Sequence, residues 1–251
     1  MIPIKDNIPT DRFPIVTVSL ILANVIVYLL AVHHGGALIS GPDSHELVKY
    51  GATPYALTHS GVRCAATGAG QVSCGRGVSG LPGWETVFTA MFMHASIVQI
   101  AVNMLFLWIF GNNVEDAMGP IRFICFYLLG GIAALALEVA LGPNAMAATV
   151  GASGAVAAVL GGYIVLYPRG RVLTLVLIIF FFGVIEVPAT VMLGLWFAVQ
   201  AAFAATGLTS LGNTGAVAYV AHVGGLAFGL VTIRLLATHR KATPPTAAAY
   251  R

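Results

Sequence analysis

The chain has 251 residues, of which 58% are hydrophobic and only 8% are charged. Soluble domains carry roughly a quarter charged residues, so this composition excludes an ordinary water-soluble enzyme, a disordered chain and a coiled coil. Twelve basic against nine acidic residues leave a formal charge of +3 without a basic run, so nucleic-acid binding is not expected. The composition instead predicts that lipid surrounds most of the chain.

Six stretches are long and apolar enough to predict helices that cross a membrane, which takes about 20 residues each. They cover approximately residues 14–32, 87–110, 122–141, 151–167, 188–205 and 217–236. A seventh apolar stretch, 172–185, is short for a crossing, so we interpret it as an interfacial or protein-packed connection. Counting it as a span is the alternative topology. The predicted fold class is therefore all-α, a polytopic membrane bundle of six transmembrane helices.

The segments outside the spans predict the orientation of the chain. With the N-terminus inside, nine Lys and Arg residues fall in inner segments and three in outer ones, which favours two cytoplasmic termini. Residues 1–13 are then a cytoplasmic segment, 14–236 the membrane domain and 237–251 a disordered cytoplasmic tail. The first span lacks a small-residue cleavage site, so we expect it to stay as a helix. The expected location is the plasma membrane.

The longest segment outside the spans, residues 33–86, contains Cys64 and Cys74. If this loop lies outside, the two thiols could form a disulfide. Two free cysteines in a flexible loop are the alternative. Cys125 is alone in the third span, where we expect it to serve packing.

Four polar side chains in the predicted spans are candidates for function, because such groups are costly in lipid. Ser153 begins the fourth span, His222 lies near the start of the sixth, and Gln99 and Asn103 share one face of the second. Each also has a structural alternative: a hydroxyl bonded to its own backbone, a packed histidine, or amides that join helices.

The three even-numbered spans run in the same direction, which puts these four groups at similar depth near the outer side. Small residues recur every fourth position and predict close contact of the fourth and sixth spans. These residues are Gly154, Ala158 and Gly162 on the fourth span, and Ala221, Gly225 and Gly229 on the sixth.

This set of side chains suits acyl transfer. A serine hydroxyl needs an adjacent base, and His222 could take the proton of Ser153 and return it to the leaving amine. The amides of Gln99 and Asn103, together with the backbone N–H of Ser153, could stabilise the anionic intermediate. The spans of Ser153 and His222 carry no acid near these residues, so we expect a dyad; Glu138 is a weaker candidate for a third member.

Several motifs resemble the rhomboid family of intramembrane serine proteases. They are His94, Gln99 and Asn103, the segment Met104 to Asp116, Gly151-Ala152-Ser153-Gly154, and Ala221-His222-Val223-Gly224-Gly225. The resemblance implies a six-helix rhomboid-like core with Ser153 as nucleophile, His222 as base and Asn103 as oxyanion donor. It implies hydrolysis of peptide bonds in or near transmembrane segments of other proteins. The expected partners are such substrates and the lipid bilayer, with no metal or cofactor.

The sequence departs from the family at two positions. Gln99 stands where the family usually has a histidine that helps to bind the oxyanion. Ala157 stands where some members have a tyrosine that stacks on the base, so other neighbours must hold His222. His94 lies nine residues before Asn103, which on a straight helix is the opposite face, so we expect a structural or loop-positioning role for it.

The surroundings of Ser153 suggest how a substrate could enter. We expect the loop 142–150 to shape the cavity, and Gly151 and Gly154 to wall a tight substrate pocket. The fifth span is a candidate lateral gate; it contains Pro188, Gly194, Trp196 and Phe197. Two other functions compete with proteolysis: a non-catalytic relative that binds membrane-protein clients, and a channel or transporter. The latter would call for polar residues along several spans, which are not found.

Overall fold

The protein is mostly helical in its structure, a computed structural model that describes residues 2–67, 71–178, 181–209 and 214–238. The helices are α1 Ile15–His34, α2 Ser44–Tyr50, α3 Pro54–Thr58, α4 Gly83–Thr89, α5 Ile97–Phe106, α6 Asn112–Met118, α7 Pro120–Leu141, α8 Ser153–Leu166, α9 Ala189–Thr209 and α10 Thr214–Leu236. The strands are β1 Ile2–Asp6, β2 Gly36–Ala37, β3 Gly41–Pro42, β4 Arg63–Thr67, β5 Gln71–Gly75, β6 Arg171–Ile178 and β7 Phe181–Pro188.

Among these described residues, four helical stretches are long and apolar enough to cross a membrane. They are Ile15–His34, Ile97–Met118, Pro120–Leu141 and Tyr219–Leu236. Two shorter apolar helices, Ser153–Leu166 and Ala189–Phe203, accompany them. The chain is thus an integral membrane protein of the predicted helical class, while the count of six crossings stays a prediction. Most of the predicted disordered tail, residues 239–251, lies outside the described residues.

The second span begins ten residues later than predicted. Instead of one helix over 87–110, α4 ends at Thr89, an irregular segment follows, and α5 begins at Ile97. Ser96 determines this start, since its Oγ accepts a hydrogen bond from the N–H of Gln99 at 3.2 Å. A π-helical turn, Leu107–Gly111, then joins α5 to α6 in one continuous rod.

The apolar stretch 172–185 does not form a seventh helix. Its described residues belong to the antiparallel strands β6 and β7, in which Arg171 pairs with Pro188 and Ile178 with Phe181. The N-terminal strand β1 pairs with the edge of β6 opposite β7, giving the order β1-β6-β7. This strand pair is thus a connection that leads into the fifth span, as expected, but its strands were not predicted. β-branched residues are frequent in this segment and favour strands.

The described part of the segment 33–86 forms regular secondary structure. It holds α2, α3, the beginning of α4 and two small hairpins, and Cys64 and Cys74 form a disulfide across the β4–β5 hairpin. The expectation for the third cysteine is wrong, because Cys125 is exposed on α7 and not packed in the core.

The central helix of the bundle is α8, whose residues from Gly154 to Tyr163 are all buried. A Cβ on Gly225 would overlap the carbonyl oxygen of Gly154, and one on Gly229 would overlap that of Ala158. Both pairs have the same offset in sequence, so α8 and α10 are parallel and their backbones touch, as the small residues predict. Because protein encloses α8, its 14 residues need not match the thickness of the bilayer.

Candidate active site

A cavity of about 580 Å³ opens into the bundle beside the N-terminus of α8. Every residue predicted for the site lines it: Ser153, His222, Asn103, Gln99, Gly151 and Gly154. The volume lies in the range of small-molecule binding sites, about 300–1,000 Å³. Thr149 and Val150 also line the cavity, so the loop 142–150 contributes to its wall as expected.

Ser153 is the first residue of α8, so its backbone N–H has no acceptor within the helix. Gly151 makes the approach to this position possible. Its φ of 127° lies in the left-handed region, and a Cβ on it would lie 2.7 Å from Nε2 of Gln99. The N–H of Gly151 is anchored on the carbonyl oxygen of Ala90 at 2.9 Å. The turn therefore presents both the hydroxyl and the free N–H of Ser153 near the cavity.

His222 lies on α10 at nearly the same depth as Ser153. The contact between Gly154 and Gly225 places Ser153 at the level of Gly224. Gly224 is two residues from His222, which is a difference of about 3 Å along the axis of α10. Within the described part of the chain, the Ser153 hydroxyl and the His222 ring share the cavity without a hydrogen bond between them. Such contacts often tighten only when substrate binds.

His94 is not on the opposite side from Asn103, and that expectation is wrong. The chain is not helical at His94, so the fully buried ring turns back and its Nε2 lies 3.0 Å from Nδ2 of Asn103. The N–H of Ala152 also points to Nε2, at 3.4 Å. A backbone N–H can only donate, so Nε2 accepts and the proton of the neutral ring is on Nδ1, 3.3 Å from the carbonyl of Phe92.

Gln99 joins the start of α5 to the segment before α8. Its Oε1 accepts from the N–H of Ala95 at 2.7 Å, and its Nε2 donates to the carbonyl of Val150 at 3.0 Å. Nε2 carries two protons, so one remains for a ligand in the cavity. Gln99 is thus a structural clamp as well as a candidate donor, a double role that the sequence did not reveal.

Two further polar groups line the cavity: Gln200, which was not predicted for the site, and Glu138, the candidate third member of the catalytic group. On α9, Oε1 of Gln200 lies 3.3 Å from Nδ1 of His222. On α7, the fully buried Glu138 accepts from the hydroxyl of Thr149. Gln200 is a polar residue within an apolar helix, the same signal that singled out Gln99 and Asn103, so the sequence could have identified it.

The family profile described as Rhomboid domain matches residues 82–239, which is more than half of the chain. The chain belongs to the rhomboid family. The match contains the whole candidate site, from Gln99 to His222.

Three relatives are similar to parts of this rhomboid. Rhomboid protein 1, mitochondrial, from Saccharomyces cerevisiae is 29% identical over 155 residues, 58% of this chain and 40% of that protein. Rhomboid-like protein 11, chloroplastic, from Arabidopsis thaliana is 41% identical over 30% of this chain and 26% of its own length. Rhomboid protease GluP from Bacillus subtilis is 36% identical over 31% of this chain and 15% of its own length.

These matches cover less than half of each relative's length, so they do not transfer the activity of a whole protein to this rhomboid. Two of the names refer to mitochondria and chloroplasts and none to a plasma membrane. The expected plasma-membrane location and the cytoplasmic termini therefore stay predictions.

Proposed function

We propose that this rhomboid is an intramembrane serine protease that cleaves peptide bonds in or near transmembrane segments of other membrane proteins. The observation that carries the proposal is the shared cavity, which Ser153, His222 and Asn103 enter from three different helices. A non-catalytic client-binding protein would have no need to bring a hydroxyl, an imidazole and an amide together.

In the proposed mechanism, His222 accepts the hydroxyl proton of Ser153 while Oγ attacks the substrate carbonyl carbon. The N–H of Ser153 and Nδ2 of Asn103 bind the resulting oxyanion, with Gln99 as an additional donor. His222 then gives its proton to the leaving amine, and a water molecule hydrolyses the acyl-enzyme. Gly151 and Gly154 line the cavity beside the hydroxyl and favour a small side chain at the cleaved bond.

The test is cleavage of a reporter transmembrane substrate by the purified full chain in detergent. Ser153→Ala and His222→Ala are expected to abolish cleavage, and Asn103→Ala to lower kcat about 100-fold. Ser19→Ala is the matched control and should leave cleavage unchanged, because the exposed Ser19 hydroxyl donates to the carbonyl of Ile15 in its own helix.

A serine-directed phosphonate provides a second measurement. It should label Ser153 in the wild type and in Ser19→Ala, and should not label Ser153→Ala. Wild-type cleavage by Ser153→Ala would overturn the proposal, and substrate capture without cleavage by the wild type would favour the client-binding alternative.

A further inference from the structure

The His222 ring is held from one side by α9. Its Nδ1 lies 3.3 Å from Oε1 of Gln200, and its ring centroid lies 5.6 Å from that of Trp196, one turn earlier on the same helix. On the facing helix α8, the position one turn after Ser153 is Ala157, a buried methyl group whose neighbour on α10 is Gly225. Tyr219 of α10 adds an edge-on ring contact at 6.4 Å, but the hydrogen-bonding group beside the imidazole comes from α9.

The bond to Gln200 also selects the tautomer of His222. An amide oxygen carries no proton and can only accept, so the hydrogen bond requires a proton on Nδ1. In the neutral ring the lone pair is then on Nε2. A base that must receive a serine proton through Nε2 needs this tautomer, whereas a free imidazole in water favours the opposite one.

We propose that Gln200 is a positioning residue, whose amide oxygen holds His222 in the Nδ1-protonated tautomer and leaves Nε2 free to accept the proton of Ser153. This inference rests on the proposed protease function. Gln200 would orient the histidine as a carboxylate does in a catalytic triad. Because its amide is neutral, burying it in a membrane bundle costs less free energy than burying a carboxylate. Since Gln200 is on α9, the orientation of the base depends on the position of that helix.

The experiment compares three variants of the full chain in detergent. Gln200→Leu removes the acceptor at similar size, Gln200→Glu keeps an acceptor, and Val199→Leu changes the adjacent, exposed position as a control. We expect Gln200→Leu to lower kcat about 10- to 100-fold with little change in KM, because geometry and tautomer act on the chemical step. Gln200→Glu should recover most of this loss, and Val199→Leu should behave as the wild type.

The spectroscopic readout is the ¹⁵N chemical shift of ring-labelled histidine at a pH where the ring is neutral, with the His222 signals assigned from their loss in His222→Ala. The wild type should show a protonated Nδ1, and Gln200→Leu should shift the population toward protonated Nε2. A wild-type ring protonated on Nε2 would overturn the inference, even if Gln200→Leu failed to fold. So would unchanged kcat in Gln200→Leu, or equal losses in Gln200→Leu and Gln200→Glu, which would indicate packing alone.

The two proposals fail separately. If Ser153→Ala cleaves like the wild type, the protease function is wrong. If Ser153→Ala is inactive while Gln200→Leu keeps the wild-type kcat, only the role of Gln200 is wrong.

Discussion

At the residue scale, the contact between His94 and Asn103 orients a candidate oxyanion donor. Nε2 of His94 accepts from Nδ2 of Asn103 and from the N–H of Ala152, next to the nucleophile. An acceptor at this point turns the NH2 group of Asn103, rather than its oxygen, toward the start of α8. We therefore expect His94 to act through Asn103, as a positioning residue and not as a catalytic one.

This arrangement predicts non-additive kinetics. Asn103→Ala should lower kcat about 100-fold and His94→Ala about 10- to 100-fold, and the double variant should be no slower than Asn103→Ala alone. The measurement is a double-mutant cycle with the reporter substrate, with thermal unfolding recorded for each variant. His45→Ala, at an exposed histidine of α2, is the control. Losses that simply multiply would contradict a role through Asn103.

Asp6 is a second buried group with a measurable consequence. Its Oδ2 accepts from Tyr163 and from Asn113, yet burial dominates and raises the pKa of Asp6 from 3.8 to about 6. The folded protein therefore binds this proton more tightly than the unfolded chain. The resulting stability is present at low pH and is lost as the pH rises through about 4 to 6.

We expect Asp6→Asn, which mimics the protonated carboxyl, to remove this pH dependence. The difference in unfolding free energy between variant and wild type should grow by about 2 kcal/mol, in favour of the variant, between pH 4 and 7. Thermal or denaturant unfolding in one detergent, with both proteins at each pH, measures this difference. Parallel stability profiles would show that Asp6 stays ionised in the fold.

At the element scale, the contact of α8 with α10 sets the depth of both proposed catalytic residues. Gly225 and Gly229 face the carbonyl oxygens of Gly154 and Ala158 so closely that a methyl group has no room. Moving α10 outward would shift His222 relative to Ser153, so packing and site geometry depend on the same interface.

Gly229→Ala should therefore destabilise the protein, although alanine is a better helix former than glycine. We expect it to lower the unfolding free energy by about 1–3 kcal/mol and to reduce cleavage. Gly194→Ala on α9 is the matched control, because a Cβ there meets no atom within 4 Å. It should leave stability unchanged or raise it by up to about 1 kcal/mol. Equal stability of Gly229→Ala and the wild type in a denaturant titration would contradict the close packing.

At the scale of the whole molecule, the Cys64–Cys74 disulfide bears on the orientation of the chain. Disulfides persist in oxidising compartments, so the hairpin of β4 and β5 is expected on the side away from the cytoplasm. This agrees with the predicted cytoplasmic termini, because α1 separates this hairpin from the N-terminal segment.

Cysteine labelling tests the orientation in a Cys125→Ser background. We expect a membrane-impermeant maleimide to modify Cys64 and Cys74 in intact cells, and only after treatment with a reductant. A Cys64→Ser, Cys74→Ser variant is the control for background labelling. Modification that requires permeabilised cells would reverse the predicted orientation.

The sequence alone determined the membrane class, the position of most of the long apolar helices, the contact of α8 with α10 and six of the residues that line the cavity. These follow from local properties, because a lipid-exposed helix satisfies its own backbone hydrogen bonds and needs only apolar length. The every-fourth spacing of glycine and alanine is equally local, and it predicted which helix faces touch.

Only the tertiary structure decided the irregular segment before Ile97, the β1-β6-β7 sheet, and the contacts of His94 and Gln200. Each depends on partners far along the chain. Asp6 of β1 lies opposite Val172 of β6, and Nε2 of His94 accepts a hydrogen bond from the N–H of Ala152. Strands and loops must find their hydrogen-bond partners elsewhere in the molecule, so neither composition nor periodicity within a segment could specify them.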